Sequence, residues 1–456
     1  MWWRPWQAAL LCTSLVLAPL PAFAAQFQDP ETQRQQVLAT MEARLALMPG
    51  VAAAKWRSGA PVLDAAREQV VLQGVGREAE RRGLAPAASQ TLFAIQMRLA
   101  REAQQQLHAQ WREHGFPTTL LIPDLSTDIR PQLDALMERQ LTALAGGLPD
   151  LQDAAALNAS FAASASHYPV LAALSDADRH TLWQALAALR PAAMDPLARI
   201  QARQVLRVGL TGDYAPFSFQ AATAQTLTGT DVELAQSLGA ALGVPVVFIR
   251  TRWATLLPDL LAGRFDLALG GVSVTAERTA LAAFSHPYYH GGKTFIARCQ
   301  DGDRYATLAA ADQPNVRLIV NPGGTNERFA RQHFKHARLT VHADNVGVFA
   351  QLVAGNADLM VTDDIEVTLQ TRRHPTLCRA TPELYAPADK AVLLPQNPAL
   401  QAVVDEWLDR ELAAGTPARL LQSALETVTP AGPASLTRRP CDNSGRQPAH
   451  CPAETH

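Results

Sequence analysis

From Gln26 to about Ala198, apolar residues recur at spacings of three and four, with almost no period-two alternation. That pattern predicts an all-helical region. One long helix is expected over 30–56, interrupted or kinked at Pro49-Gly50, because a proline removes a backbone donor. A second helix is expected over 62–82, stopping at Gly83, and a third over 86–114, stopping at Gly115. More helices follow Pro131, and the region closes near Arg190-Pro191.

After Arg203 the texture changes to short β-branched runs alternating with helical patterns. Strands are predicted over 206–210, 246–250, 267–269, 294–297, 317–320 and 359–362, with helices such as 232–242 and 345–354 between them. Such alternation implies α/β units on largely parallel sheets. From Thr429 onward Pro, Ser, Gly and Thr accumulate, which implies a loosely ordered tail.

The 456 residues are too many for one core. A net charge of −2, with no basic stripe interleaved with aromatics, argues against a nucleic-acid partner. At the start, Arg4 precedes an apolar stretch from Ala8 to Leu20 and a small-x-small site at Ala22-Phe23-Ala24. These features predict a signal peptide over 1–24 and a periplasmic or secreted product. Ala9-Leu10-Leu11 before Cys12 lacks the small residues of a lipoprotein site, and no later segment is expected to span a membrane. Removing the leader leaves Cys299, Cys378, Cys441 and Cys451, an even number in an exported chain. The expected disulfides are Cys299–Cys378 and Cys441–Cys451; the spacing fits no zinc pattern.

In the helical region Arg44 and Lys55 are about three turns apart, although Pro49-Gly50 lies between them. Asp64, Arg67 and Glu68 fall on one face of one helix, Gln104 on the next helix and Arg139 on a later one. Spacing alone leaves these as solvated surface charges. The segments around Arg44-Leu45, Val51-Ala52-Ala53-Ala54-Lys55-Trp56 and Pro61-Val62-Leu63-Asp64-Ala65-Ala66-Arg67-Glu68 resemble the secreted, all-helical chorismate mutases. So do Phe93-Ala94-Ile95-Gln96, Gln104 and Leu136-Met137-Glu138-Arg139, and the resemblance covers nearly all of 35–195. It implies that Arg44, Lys55, Arg67 and Arg139 grip the two carboxylates of chorismate. Asp64 and Glu68 are implied to hold its hydroxyl or orient the cations, and Lys55 and Gln104 to face the ether oxygen. Ala100 and Val71 stand where relatives often carry polar side chains.

Further on, Arg207-Val208-Gly209, Gly212-Asp213-Tyr214-Ala215-Pro216-Phe217, Gly229-Thr230-Asp231-Val232 and Gly270-Gly271-Val272-Ser273-Val274-Thr275-Ala276-Glu277-Arg278 resemble periplasmic amino-acid-binding proteins, whose two α/β lobes close over a ligand. The resemblance implies that Arg278 and Ser273 hold a carboxylate, with Thr325 helping from the other lobe. Tyr214 and Trp253 are implied to wall the pocket, and Asp363 to take a ligand's amine. The runs Asn321-Pro322-Gly323-Gly324-Thr325-Asn326-Glu327-Arg328-Phe329-Ala330, Val361-Thr362-Asp363-Asp364-Ile365-Glu366 and His374-Pro375-Thr376-Leu377-Cys378 resemble periplasmic cyclohexadienyl dehydratases. Glu366 stands where binding proteins usually carry an apolar residue. A buried acid there is suited to protonating a departing hydroxyl; otherwise it is a helix-start charge.

The expected architecture is a signal peptide over 1–24, an all-helical mutase domain over 25–200, a two-lobed α/β clamshell over 205–428 and a tail over 429–456. Lobe 1 is expected over about 205–297 and 393–428, lobe 2 over about 298–392, with crossings near Arg298 and near 391–394. The expected function is conversion of chorismate to prephenate, then of prephenate or arogenate to phenylpyruvate or phenylalanine. No metal or cofactor is called for, because the first reaction is pericyclic and aromatisation drives the second. The competing reading is a mutase fused to a non-catalytic amino-acid-binding module. Association into a homo-oligomer is left open.

Overall fold

The structure, a computed structural model, describes residues 25–117, 120, 122–221 and 223–426. The expected leader and the tail with Cys441 and Cys451 lie outside the described residues. The helical part begins with α1 (Pro30–Ala46) and α2 (Met48–Ser58), then α3 (Ala65–Arg81), α4 (Pro86–His114), α5 (Arg130–Leu151), α6 (Ala154–Ser164), α7 (Asp176–Ala187) and α8 (Pro196–Arg203), with shorter turns between. The expected break in the first helix falls at Leu47, just before Pro49. Pro49 sits in the first turn of α2, where its missing N–H needs no partner. α3 begins at Ala65, later than expected, because Asp64 caps it by accepting from the Arg67 N–H at 3.0 Å.

Val37, Leu38, Met41 and Leu45 of α1 pack with Leu141, Leu144 and Leu148 of α5 and Leu92, Phe93 and Leu99 of α4 in one fully buried core. Contrary to expectation, the stretch Pro30–Ser58 is long and apolar enough by composition to cross a membrane. It is broken at Leu47, and 56% of its apolar 18-residue window is buried inside the protein, so packing within the bundle accounts for its apolar character.

The α/β part contains two five-stranded sheets. The first has the order β4 (Val246–Arg250), β1 (Leu206–Leu210), β5 (Leu267–Ala268), β12 (Leu393–Leu394), β6 (Ala283–Phe284). Pairs β1/β4 and β1/β5 are parallel, whereas the returning β12 is antiparallel to both neighbours. The second has the order β11 (Leu377–Arg379), β7 (Lys293–Arg298), β10 (Leu359–Asp363), β8 (Arg317–Val320), β9 (Arg338–Val341). Here β7 runs antiparallel to β10 and β11, and the remaining pairs are parallel. A hairpin of β2 (Asp213–Tyr214) and β3 (Ser218–Phe219) hangs over the first sheet's cleft side. The helices that matter below are α9 (Thr230–Leu242), α10 (Thr325–His333), α11 (Asp364–Arg373), α12 (Pro398–Ala413) and α13 (Thr416–Glu426).

Because β7 belongs wholly to the second sheet, the chain crosses between Phe284 and Lys293, upstream of the expected position near Arg298. Cys299 and Cys378 form a disulfide that ties the end of β7 to β11, which already pairs with it at Leu377↔Arg298.

The two parts are stitched together along the β4/β1 side of lobe 1. The Gln28 N–H donates to Phe248 O at 2.8 Å, the Leu227 N–H to Ala25 O at 2.7 Å, and Arg250 lies 3.8 Å over the Phe27 ring. From β1, the fully buried Arg207 guanidinium donates to Ala145 O and, at 3.0 Å, to Gly146 O of α5. Burial lowers Arg207 to about 9, still cationic at neutral pH.

Candidate active sites

Helices α1 to α5 enclose one cavity, and most of the charges singled out in the sequence meet there. Its walls include Arg44, Lys55, Asp64, Arg67, Glu68 and Gln104. Arg44 is buried against the Phe93 ring, 5.4 Å from its centroid. Burial lowers its pKa to about 10, with Asp134 acting the other way, so it remains a cation. The half-buried Lys55 donates from Nζ to Val62 O at 2.7 Å. Its pKa is lowered by burial and by Arg130, against the pull of Asp64 and Glu68. Glu68 is paired with Arg101, another wall residue that the sequence reading did not single out.

Gln104 is buried; its Nε2 donates to Ala100 O at 3.0 Å and its Oε1 has no hydrogen-bond partner. The second Nε2 hydrogen points to Met48 Sδ at 3.6 Å, a weak thioether acceptor that a ligand oxygen in the cavity can displace. Ala100 and Val71 also line the cavity and make this wall apolar.

Arg139 is a correction. It is exposed and lies outside the cavity; α5 contributes Arg130, Leu133, Asp134 and Met137 instead. Those four positions follow i, i+3, i+4, i+7, and a residue two beyond Met137 must point to the opposite side. The stripe itself was the sequence signal for Arg130.

The second site lies between the two sheets. Tyr214, Trp253, Ser273, Arg278, Thr325, Asn326, Asp363 and Glu366, all named from the sequence, converge on one cleft. The side chains follow the carboxyl ends of β1, β5, β8 and β10, where open α/β sheets bind ligands. Gly271 has φ +73°, and a Cβ there would meet Phe217 at 2.5 Å and Tyr214 at 2.6 Å, so the aromatic wall needs a glycine. Arg278, only 6% exposed, donates to Ser273 O at 2.8 Å; burial lowers it to about 10. Trp253 is held by its indole N–H to Asp213 at 3.1 Å. Across the cleft, Asn345 donates to Asp213 O at 3.0 Å, linking the lobes. The N-terminal turn of α10, which has no side-chain cap, faces the cleft at Thr325 and suits an anion.

Asp363 departs from expectation. Both its oxygens are already taken: Oδ1 by Lys293 Nζ at 2.5 Å, and Oδ2 by Lys390 Nζ at 2.6 Å and the Tyr214 hydroxyl at 2.6 Å. Burial alone would raise its pKa; the two ammonium groups more than reverse this and hold it well below the usual carboxylate range. It therefore holds protein ammonium groups where the resemblance implied a ligand's amine. Lys390 also donates to Ser273 Oγ at 2.9 Å, and Lys293 to Thr325 Oγ1 at 2.8 Å. Neither lysine was singled out from the sequence, yet a signal existed. The chain has four lysines, Lys55, Lys293, Lys335 and Lys390, and three of them stand at the two sites.

Glu366, on the first turn of α11, is 4% exposed and lines the same cleft as Arg278 and Thr325. Burial pushes its carboxyl up to about 7 and Asp363 adds to this, opposed by the hydrogen bond from Thr362 and by the two lysines.

Residues 206–426 match the bacterial extracellular solute-binding proteins, family 3, and residues 35–105 match chorismate mutase type II. The cyclohexadienyl dehydratase of Pseudomonas aeruginosa is 48% identical over 213 residues, covering 46% of this chain and 79% of the relative. The chain belongs to the cyclohexadienyl dehydratase family. It carries a chorismate mutase domain in front of that homologous part. The L-cystine-binding protein TcyJ of Escherichia coli is more distant, 28% identical over 198 residues, 43% of this chain and 73% of the relative. Among solved structures, an ancestral amino acid-binding protein described as a precursor of cyclohexadienyl dehydratase matches with TM-score 0.47 and 30% identity, over 50% of this chain and 99% of its own.

Proposed function

We propose that the helical cavity rearranges chorismate to prephenate and that the cleft dehydrates prephenate, or arogenate, to phenylpyruvate, or phenylalanine, in the periplasm. The observation that carries the second half is Glu366, a buried acid with a raised pKa inside a cation-lined cleft, in a stretch of 213 residues that is 48% identical to a cyclohexadienyl dehydratase.

In the helical cavity no nucleophile or base is needed. Arg44 and Arg67, joined by Arg130 or Arg101, bind the carboxylates and hold the compact conformer. Lys55 and the Gln104 hydrogen that otherwise rests on Met48 Sδ stabilise charge building on the ether oxygen, and losing such a donor costs on the order of 3 kcal/mol of barrier.

In the cleft Arg278, Ser273 and the α10 N-terminus hold carboxylates. Glu366 gives its proton to the departing hydroxyl as the carbon–carboxylate bond breaks. The electron pair of that bond completes the aromatic ring, and water and carbon dioxide leave. With Asp363 neutralised by Lys293 and Lys390, a keto acid such as prephenate meets no unpaired carboxylate in this part of the cleft.

The leaderless protein incubated with chorismate should yield prephenate and then phenylpyruvate. Glu366→Gln should stop at prephenate. If the wild type binds an amino acid tightly and leaves prephenate and arogenate untouched, the cleft is a ligand trap and the dehydratase half of the proposal fails.

A further inference from the structure

Glu366 is gripped through an ordered chain of hydrogen bonds whose direction can be read from one end. A lysine ammonium only donates. Lys293 Nζ lies 2.5 Å from Asn326 Oδ1, which fixes which end of that amide is oxygen. The amide nitrogen must then face the other way, and it donates to Asn321 Oδ1 at 2.9 Å and to Thr362 Oγ1 at 3.1 Å. Because Thr362 Oγ1 accepts from Asn326, its single hydrogen goes to Glu366 Oε2. All four side chains are at least nine-tenths buried, so water does not scramble the order.

We infer that Thr362, aligned by Asn326 and Lys293, is a positioning residue: it occupies Glu366 Oε2 as a donor and so places the acidic proton on Oε1, the oxygen left for the cleft. When Glu366 loses that proton, the Thr362 bond becomes charge-assisted and strengthens. The chain thus favours the carboxylate that forms as the hydroxyl leaves, more than it favours the resting acid. It also restrains the rise in pKa that burial causes. Four other titratable groups bear on the carboxyl from the surrounding elements: Asp363 at the end of β10, Lys293 on β7, Lys390 on the second crossing and Arg373 on α11. Tyr214 of β2 faces it as well. None of these supplies a donor to Oε2.

This inference rests on Glu366 acting as the acid. The test is the pH dependence of kcat for prephenate in wild type, Thr362→Val and Thr362→Ser, with thermal unfolding followed alongside. Wild-type kcat should fall as pH rises through the Glu366 pKa. Thr362→Val should move that falling limb upward by about one pH unit and lower kcat about tenfold below it, because a donor to the carboxylate has been lost. Thr362→Ser should restore both. A merely structural threonine would change the unfolding temperature or scale kcat at every pH without moving the limb, and that outcome overturns the inference. So does a serine variant that behaves like the valine one. If instead the wild type shows no dehydration, or Glu366→Gln retains it, the underlying assignment of the acid fails first.

Discussion

In the roles proposed for Gln104 and Glu366, one side-chain choice sets the pH behaviour expected of each site. A neutral amide donates at any pH, so mutase activity should be nearly flat between mildly acidic and neutral pH. Gln104→Glu replaces it with a group that donates only when protonated, and its activity should decline as pH rises; a wild type that already declines would show that Gln104 is not the donor. Glu366 carries a stability cost along with its function. Its folded-state pKa, about 7, exceeds the ordinary 4.5, so its contribution to stability is full below the ordinary value and is lost as pH rises through 7. Glu366→Gln has no such loss. Between pH 5 and pH 8 the variant should gain on the order of 3 kcal/mol relative to wild type in denaturant unfolding. Equal pH profiles of stability would mean the carboxyl is not buried as an acid.

At the scale of elements, Asp64 both caps α3 and lines the mutase cavity, and two substitutions separate these roles. Asp64→Ala should lose about 1 kcal/mol of stability along with activity, whereas Asp64→Asn keeps a capping oxygen and loses only the charge. If the asparagine variant retains full kcat/KM, Asp64 serves the helix alone. The same helix shows what the sequence could and could not reveal. Gly83 and Gly115, both at positive φ, end α3 and α4 where their lack of a Cβ led one to expect an end. The strands 206–210, 246–250 and 317–320 were bounded from their β-branched runs, which local preference fixes well. The crossing near Lys293 was misplaced because a strand's sheet is decided by its neighbours, and period-two patterning is blind to them. Arg139 was misassigned and Arg130 overlooked because a motif match carries no rotational phase, while the stripe from Arg130 to Met137 does. The pairing of Asp363 with two lysines was invisible for a related reason: Lys293, Asp363 and Lys390 are joined only by tertiary folding. Their one trace in the sequence is the rarity of lysine in an arginine-rich chain.

At the scale of the whole molecule, the seam between the domains meets the helical bundle far from the mutase cavity. α5 has 22 residues and is about 33 Å long; its first two turns line the mutase cavity, while Ala145 and Gly146 near its other end receive Arg207. In lobe 1 the seam runs along the sheet, from Arg207 near the start of β1 to Phe27 against Arg250 and Gly212 beyond its end, beside the cleft built at Tyr214 and Ser273. A prephenate molecule leaving the mutase cavity is released at the end of α5 remote from the seam, so the expected outcome is free diffusion to the cleft without channelling. An equimolar mixture of Lys55→Ala chains, active only in the cleft, with Glu366→Gln chains, active only in the bundle, reproduces the free-diffusion case. Wild type at the same concentration of each active site should show the same lag before phenylpyruvate appears from chorismate. A clearly shorter lag in the wild type would mean that prephenate passes between sites along the protein, across the length of α5 that separates the mutase cavity from the seam.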